Sequence, residues 1–124
     1  IEEITRLDIK GKTVAYVDKI KFHNVFWNII KNAYEALDDD TDEIEIKIYK
    51  EDMFIIVEIL DNGKGIAEEH KSELFKPGKT FGKYNGTGFG LVNAKRIVEA
   101  HGGQIGFESE LGVGTKFFVK IPNV

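Results

Sequence analysis

Apolar and polar positions along the chain change period several times, and each change marks an element. Val14-Ala-Tyr-Val17 is a short β-prone run that ends at Asp18, a good helix N-cap. From Lys19 to Leu37 the apolar residues Phe22, Val25, Phe26, Ile29, Ala33 and Ala36 recur at helical spacing, which predicts an amphipathic helix. The acidic run Asp38-Asp-Asp40, with Asp42 and Glu43, ends it and reads as a solvated loop, because clustered like charges repel. Ile44, Ile46 and Ile48 then alternate with Glu45 and Lys47, the period of a half-buried strand. Met53 to Leu60 is nearly all apolar and β-branched, so a more central strand of the same sheet is predicted, with Glu51-Asp52 as the hairpin turn. The stretch Ala67 to Asn85 is polar and carries Pro77, Gly78 and Gly82; a short helix near Glu68 to Phe75 and then a mobile loop are expected. Leu91, Val92, Ile97, Val98 and His101 give a second helix its apolar face, and Gly102-Gly103 its C-cap. Strands Gln104 to Glu108 and Thr115 to Ile121 flank a Gly112/Gly114 turn, with Pro122 as a stop. Hairpin-linked strands with helices to one side predict an α/β fold: a two-layer α/β sandwich whose mixed, largely antiparallel sheet is covered on one face by helices. A doubly wound fold does not fit this order.

Composition narrows the classes. The 124 residues suffice for one domain, 1–124, with a core that needs no staples. Hydrophobic residues at 42% and charged residues at 31% are an ordinary globular balance. The chain has no cysteine, hence neither disulfide nor thiolate chemistry, which fits a reducing, cytoplasmic setting. A formal charge of −4 argues against nucleic acid as the partner. The apolar runs are too short to span a bilayer, so no membrane contact by this domain is expected. Because the chain begins at Ile1, it is expected to be a fragment of a longer protein.

Three segments hold side chains or backbone suited to a phosphorylated ligand. Asn28, Asn32 and Glu35 share one stripe of the first helix, beside the apolar one. Carboxamides and a carboxylate there suit a hard cation that keeps several waters; equally, such a helix edge can cap a nearby loop. Asp61-Asn-Gly63-Lys-Gly65 follows the strongest predicted strand. A carboxylate fixed at a strand end can accept from an amino group such as adenine's, while glycines let backbone approach a ring; a plain strand-to-helix turn has the same composition. Gly86-Thr-Gly88-Phe-Gly90-Leu91 opens the second helix, where unpaired N–H groups and the helix dipole favour phosphate. Its spacing is neither a Walker A loop nor a dinucleotide fingerprint.

Together with Gly112-Val-Gly114-Thr115, these segments resemble, in order and over Val14 to Pro122, the nucleotide pocket of the ATP-binding domain of sensor histidine kinases, within the gyrase, Hsp90, histidine kinase and MutL ATPases. The resemblance implies a Bergerat-type ATP-binding fold and Mg·ATP as ligand. It implies that Asn32 holds Mg²⁺, that Asp61 reads the adenine amino group, and that Thr115 supports it through water. Leu74-Phe75-Lys76-Pro77 resembles the family's phenylalanine box, and Lys79-Thr80 a pair often found after it, with Lys79 or Lys83 in reach of the γ-phosphate. The nucleotide-binding set so implied is Asn28, Asn32, Glu35, Ala36, Asp61, Gly63, Gly65, Ile66, Lys79, Thr80, Gly86, Thr87, Gly88, Phe89, Gly90, Leu91 and Thr115, with Asn28 and Lys79 in catalytic roles.

Relatives that hydrolyse ATP place a glutamate where this chain has Asn28. A carboxamide cannot take water's proton, so transfer to another acceptor is expected. Glu35 departs from members with lysine at that place. His23, His70 and His101 lie in no phosphoacceptor pattern, and His101, at a helix end, suits the dipole if partly positive. The resemblance therefore implies two partners, a phosphoacceptor histidine domain of the same kinase and a response regulator. Alternatives are a hydrolysing ATPase of the superfamily, an anti-sigma-factor type serine kinase, and a nucleotide-binding regulatory module without transfer.

Overall fold

The computed structural model describes residues 4–9, 13–37, 43–76 and 90–123. Its elements run β1 (Ile4–Ile9), β2 (Thr13–Asp18), α1 (Lys19–Glu35), β3 (Ile44–Glu51), β4 (Phe54–Asp61), α2 (Glu68–Lys71), α3 (Gly90–Ala100), β5 (Gln104–Glu110) and β6 (Gly114–Pro122). β1, which no periodicity announced, pairs with β2 as an antiparallel ribbon. The other four strands form the main sheet in the order β3-β4-β6-β5. Each pairing is antiparallel, and no parallel pair occurs among the described strands.

Register decides where the core sits. Ile55, Val57 and Ile59 on β4 lie opposite Ile121, Val119 and Phe117 on β6. This inner face meets Phe22, Val25, Ile29 and Ala33 of α1 and Leu91, Ala94 and Val98 of α3, all buried. α1 lies over β4, α3 over β5 and β6, and the helices pack on each other. Burying each large side chain contributes about 1.5–3 kcal/mol, so this interdigitated layer dominates the stability.

The helix ends follow the sequence signals. Asp18 accepts from the Lys21 N–H at 3.0 Å and caps α1. α3 closes in a Schellman motif: Gly102 takes φ +79°, its N–H donates to Glu99 O at 3.0 Å, and the Gly103 N–H donates to Val98 O at 3.0 Å. His101 does more than meet the helix dipole. Its Nδ1 lies 2.8 Å from Ile97 O, its Nε2 accepts from the Asp18 N–H at 3.2 Å, and its ring meets Phe22 edge-on at 4.6 Å. A carbonyl can only accept, so Nδ1 carries the hydrogen, and one imidazole ties the end of α3 to the start of α1.

Several expectations need correction. Ile46 and Ile48 do lie on the inner face, but they are 51% and 50% exposed, because α1 packs on β4 and α3 on β5 and β6, which leaves β3 at the edge of the covered face. Met53 belongs to the β3–β4 turn, not to β4, and is 75% exposed. The helix expected near Glu68 to Phe75 is a single turn ending at Lys71, followed by turns. Pro122 is the last residue of β6, paired with Phe54, where its missing N–H is tolerated at a strand end. The acidic run 38–42 lies outside the described residues.

The outer face of the sheet mixes apolar side chains, the buried Ile56 among them, with a polar network. Tyr49 Oη donates to Glu58 Oε2 at 2.6 Å, and Lys116 stands 3.7 Å from Glu58 and 3.6 Å from Glu108. Phe118 lies across the bare backbone of Gly106, where a Cβ would meet the ring at 2.4 Å.

Candidate functional site

Asp61 is the last residue of β4 and is buried, although a carboxylate is costly to bury without partners. Its Oδ1 accepts from the Gly63 N–H at 2.9 Å, which closes a tight turn and fixes the carboxylate. Thr115, also buried, is its register partner on β6. Asp61 and Thr115 thus stand side by side on the inner face, at the end of the sheet where the helix layer leaves room.

The turn after Asp61 is wedged between two other segments. On one side the Lys64 N–H donates to Ala36 O at 2.9 Å, at the C-cap of α1, and a Cβ at Gly63 would fall 2.2 Å from that oxygen. On the other, the Gly112 N–H donates to Lys64 O at 2.8 Å, and Gly65, at φ +75°, would place a Cβ 2.2 Å from Glu110 O. Both glycines are therefore required by close approach of backbone, beyond ordinary turn chemistry. Asn62 faces away: its Oδ1 accepts from the Glu43 N–H and holds the start of β3.

Asn28, Asn32 and Glu35 lie half-buried along α1, as does Ala36 just past its end. A Cβ at Gly90 would sit 2.8 Å from Asn28 Oδ1, so the first turn of α3 abuts this stripe. The N-terminal N–H groups of α3 and the Asn28 carboxamide are thereby neighbours, an arrangement suited to a phosphate chain and an oxygen-ligated cation. Leu91 is buried in the core, so within the described residues its side chain serves packing. Phe75 anchors the far side, 5.9 Å from Phe107 and beneath Lys95 Nζ at 5.6 Å.

Asn28, Asn32, Glu35, Ala36, Asp61, Gly63, Gly65, Ile66, Gly90 and Thr115 are thus gathered around one end of the sheet and the helix pair above it. Lys79, Thr80, Gly86, Thr87, Gly88 and Phe89, with Pro77 and Lys83, lie outside the described residues. Among the described residues no cluster of three or more His, Asp or Glu could hold a metal ion.

Sequence reasoning passed over Ser109. Its Oγ donates to Gly114 O at 3.0 Å, accepts from the Ile66 N–H at 2.9 Å, and lies 2.7 Å from Thr115 Oγ1. Lys71 Nζ donates to its carbonyl and pairs with Glu68, tying α2 to β5. One signal was present: Ser109 continues the inner-face alternation Ile105, Phe107, and is the only polar residue of that set.

An open antiparallel sheet backed by two helices, with a buried acidic strand end and a glycine-opened helix that abuts Asn28, fits an ATPase-type α/β domain. The chain belongs to the histidine kinase-, DNA gyrase B- and HSP90-like ATPase family, whose model matches residues 17–124. Among curated relatives, the sensor protein SrrB of Staphylococcus aureus is 39% identical over 117 residues, covering 90% of this chain and 20% of that protein. The autoinducer 2 sensor kinase/phosphatase LuxQ of Vibrio cholerae is 26% identical over 129 residues, covering 98% of this chain and 15% of its own length. The chain thus spans a fifth or less of these relatives. The catalytic domain of histidine kinase ThkA superposes with a TM-score of 0.75 at 32% identity, covering 88% of this chain and 70% of that one. The mycobacterial sensor histidine kinase MprB shares the fold, with a TM-score of 0.78 at 21% identity over 90% of this chain and 79% of that one. The chain is accordingly an ATP-binding module of the kind found in two-component sensor kinases, and among the described residues no helix is long and apolar enough to cross a membrane.

Proposed function

We propose that this domain binds Mg·ATP and presents the γ-phosphate to a histidine on a separate dimerisation domain of the same kinase, from which a response-regulator aspartate takes it. The observation that carries this proposal is the meeting of Asn28 with the first turn of α3 at one end of a site whose other end is the buried Asp61–Thr115 pair. The base end is acceptor-rich and the phosphate end is lined by carboxamides and helix N–H groups. The oxygens of Asn32 and Asn28 fit a hard cation that retains waters, with Asn32 as its protein ligand. When bound, Mg²⁺ supplies neutralisation of phosphate charge.

The work of this chain's own residues is positioning. Asp61 fixes the base, the Gly63 and Gly65 turn holds that carboxylate by packing on Ala36 and Glu110, and α3's N-terminal amides hold phosphate oxygens. The resemblance assigns charge stabilisation at the γ-phosphate to Lys79 or Lys83, both outside the described residues. Asn28 orients without accepting a proton, which separates transfer from hydrolysis.

Calorimetric titration of ATP with and without Mg²⁺ tests the pocket. Asp61→Ala is expected to abolish binding, and Asn32→Ala to remove mainly the Mg²⁺ dependence. Equal binding by all three proteins, or none, overturns the assignment. Adding a separate histidine-bearing dimerisation domain with radiolabelled ATP is expected to yield an acid-labile phosphoprotein. Phosphate release by the chain alone would instead favour the hydrolysing class, and binding without transfer the regulatory module.

A further inference from the structure

Ser109 stands at the junction of three pocket segments, and its hydrogen-bond accounting is restrictive. A serine hydroxyl has one hydrogen and two lone pairs. The Gly114 carbonyl can only accept, so the 3.0 Å contact uses that hydrogen. The Ile66 N–H can only donate, and at 2.9 Å it takes one lone pair. What remains for Thr115 Oγ1, 2.7 Å away, is the second lone pair. Thr115 must then donate its own hydrogen to Ser109. Its oxygen keeps its lone pairs as an acceptor, and its register partner on β4 is the buried Asp61.

Resting on the nucleotide site proposed above, we propose that Ser109 is a specificity-determining positioning residue. By holding the Thr115 hydroxyl in one polarity, it makes the base end favour a nucleobase bearing an amino group over one bearing a carbonyl. Adenine presents an N6 amino donor where guanine presents the O6 acceptor. With Ser109 in place, guanine O6 meets lone pairs from both Asp61 and Thr115. Without it, the Thr115 hydroxyl rotates and donates to O6, so part of the discrimination disappears.

The test is calorimetric titration of the chain with Mg·ATP and Mg·GTP, for wild type, Ser109→Ala, Thr115→Val and the double variant, with Asp61→Ala as control. Ser109→Ala is expected to narrow the ATP-to-GTP affinity ratio about tenfold, the scale of one hydrogen bond gained or lost. In the Thr115→Val background the same change is expected to leave the ratio alone, because there is no hydroxyl left to orient. A merely structural serine predicts otherwise: both nucleotides weaken in parallel and the ratio holds, which overturns the proposal. If Ser109→Ala loses its folded circular dichroism, Ser109→Cys, close in shape with a weak donor, takes its place. A partial narrowing then supports the proposal and an unchanged ratio overturns it. Wild type that binds neither nucleotide, or an Asp61→Ala that binds both as wild type does, overturns the underlying site as well. A ratio that ignores Ser109 while Asp61→Ala abolishes binding overturns only the role of Ser109.

Discussion

At the scale of single residues, two kinds of constraint act: hydrogen bonds that consume a side chain's capacity, and backbone that leaves no space for a Cβ. Tyr49 is an instance of the first. Its phenol donates to Glu58, and this hydrogen bond, then burial, then the Glu58 and Glu51 charges push its pKa up to about 12. An unfolded tyrosine titrates near pH 10. The folded value being higher, the stabilisation from this pair is complete below about pH 10 and fades as pH rises toward 12. Phenolate absorbance, taken as wild type minus Tyr49→Phe, is expected to show this late titration, and Glu58→Gln to draw it back toward 10. The second constraint separates Gly63 from Gly112. A methyl at Gly63 lands 2.2 Å from the Ala36 carbonyl oxygen, whereas one at Gly112 meets nothing within 4 Å and only strains a φ of +83°. Gly63→Ala is expected to cost about 2–3 kcal/mol in urea unfolding and to weaken nucleotide binding, as overpacking against backbone does. Gly112→Ala is expected to cost about 1 kcal/mol and leave binding intact. Sequence exposed these glycines as turn formers but not their difference, because the carbonyl that approaches Gly63 is that of Ala36 at the end of α1, far along the chain. Ser109 was hidden for the same reason: each of its partners is fixed by the β5–β6 register or by the docked turn.

For the elements, periodicity was a faithful guide to type and face, and a poor guide to depth. The alternation of Ile44, Ile46 and Ile48 predicted a strand with its isoleucines inward, and the register with Val57 and Ile59 puts them on that face. It could not tell that two helices would cover β4, β5 and β6 and leave β3 at the edge. Burial there is a property of the layer above. Equal substitutions on equal faces should therefore have unequal effects. Ile59→Ala, at a side chain 1% exposed between β3, β6 and α1, is expected to cost about 2–5 kcal/mol. Ile46→Ala, directly opposite on β3 but 51% exposed, should cost well under half of that. Paired urea titrations with a common m-value decide it; equal losses would mean that something shields β3 in solution. The helix ends were more legible, since Asp18 and Gly102-Gly103 act through contacts within a few residues. β1 was not, for no apolar period announced it, and it pairs with β2 as an antiparallel ribbon.

Across the whole molecule, the site joins parts that otherwise meet only through the core. The Asp61 turn hangs between the end of α1 and the β5–β6 turn, the Ser109–Thr115 hydrogen bond joins β5 to β6, and Asn28 abuts the start of α3. A ligand that touches Asp61 at one end and α3's N-terminus at the other bridges all four, so it must favour the folded chain over the unfolded one. Linkage sets the size: at a free Mg·ATP concentration of about 100 Kd the gain is about 2.7 kcal/mol. For a chain of this length each kcal/mol moves the melting point by roughly 3–5 °C, so a rise of about 10 °C is expected. Asp61→Ala should remove the rise at the same nucleotide concentration while keeping a cooperative transition. Hydrogen exchange supplies the spatial half of the prediction. Protection should grow at 62–66 and 109–115 and in the first turn of α3, while the far part of β3, 46–51, which pairs with 54–59 of β4 away from the Asp61 turn, stays as it was. Uniform slowing over the chain would mean stabilisation without a localised pocket. Slowing confined to α3 would mean that phosphate alone is held and that Asp61 and Thr115 do not read a base.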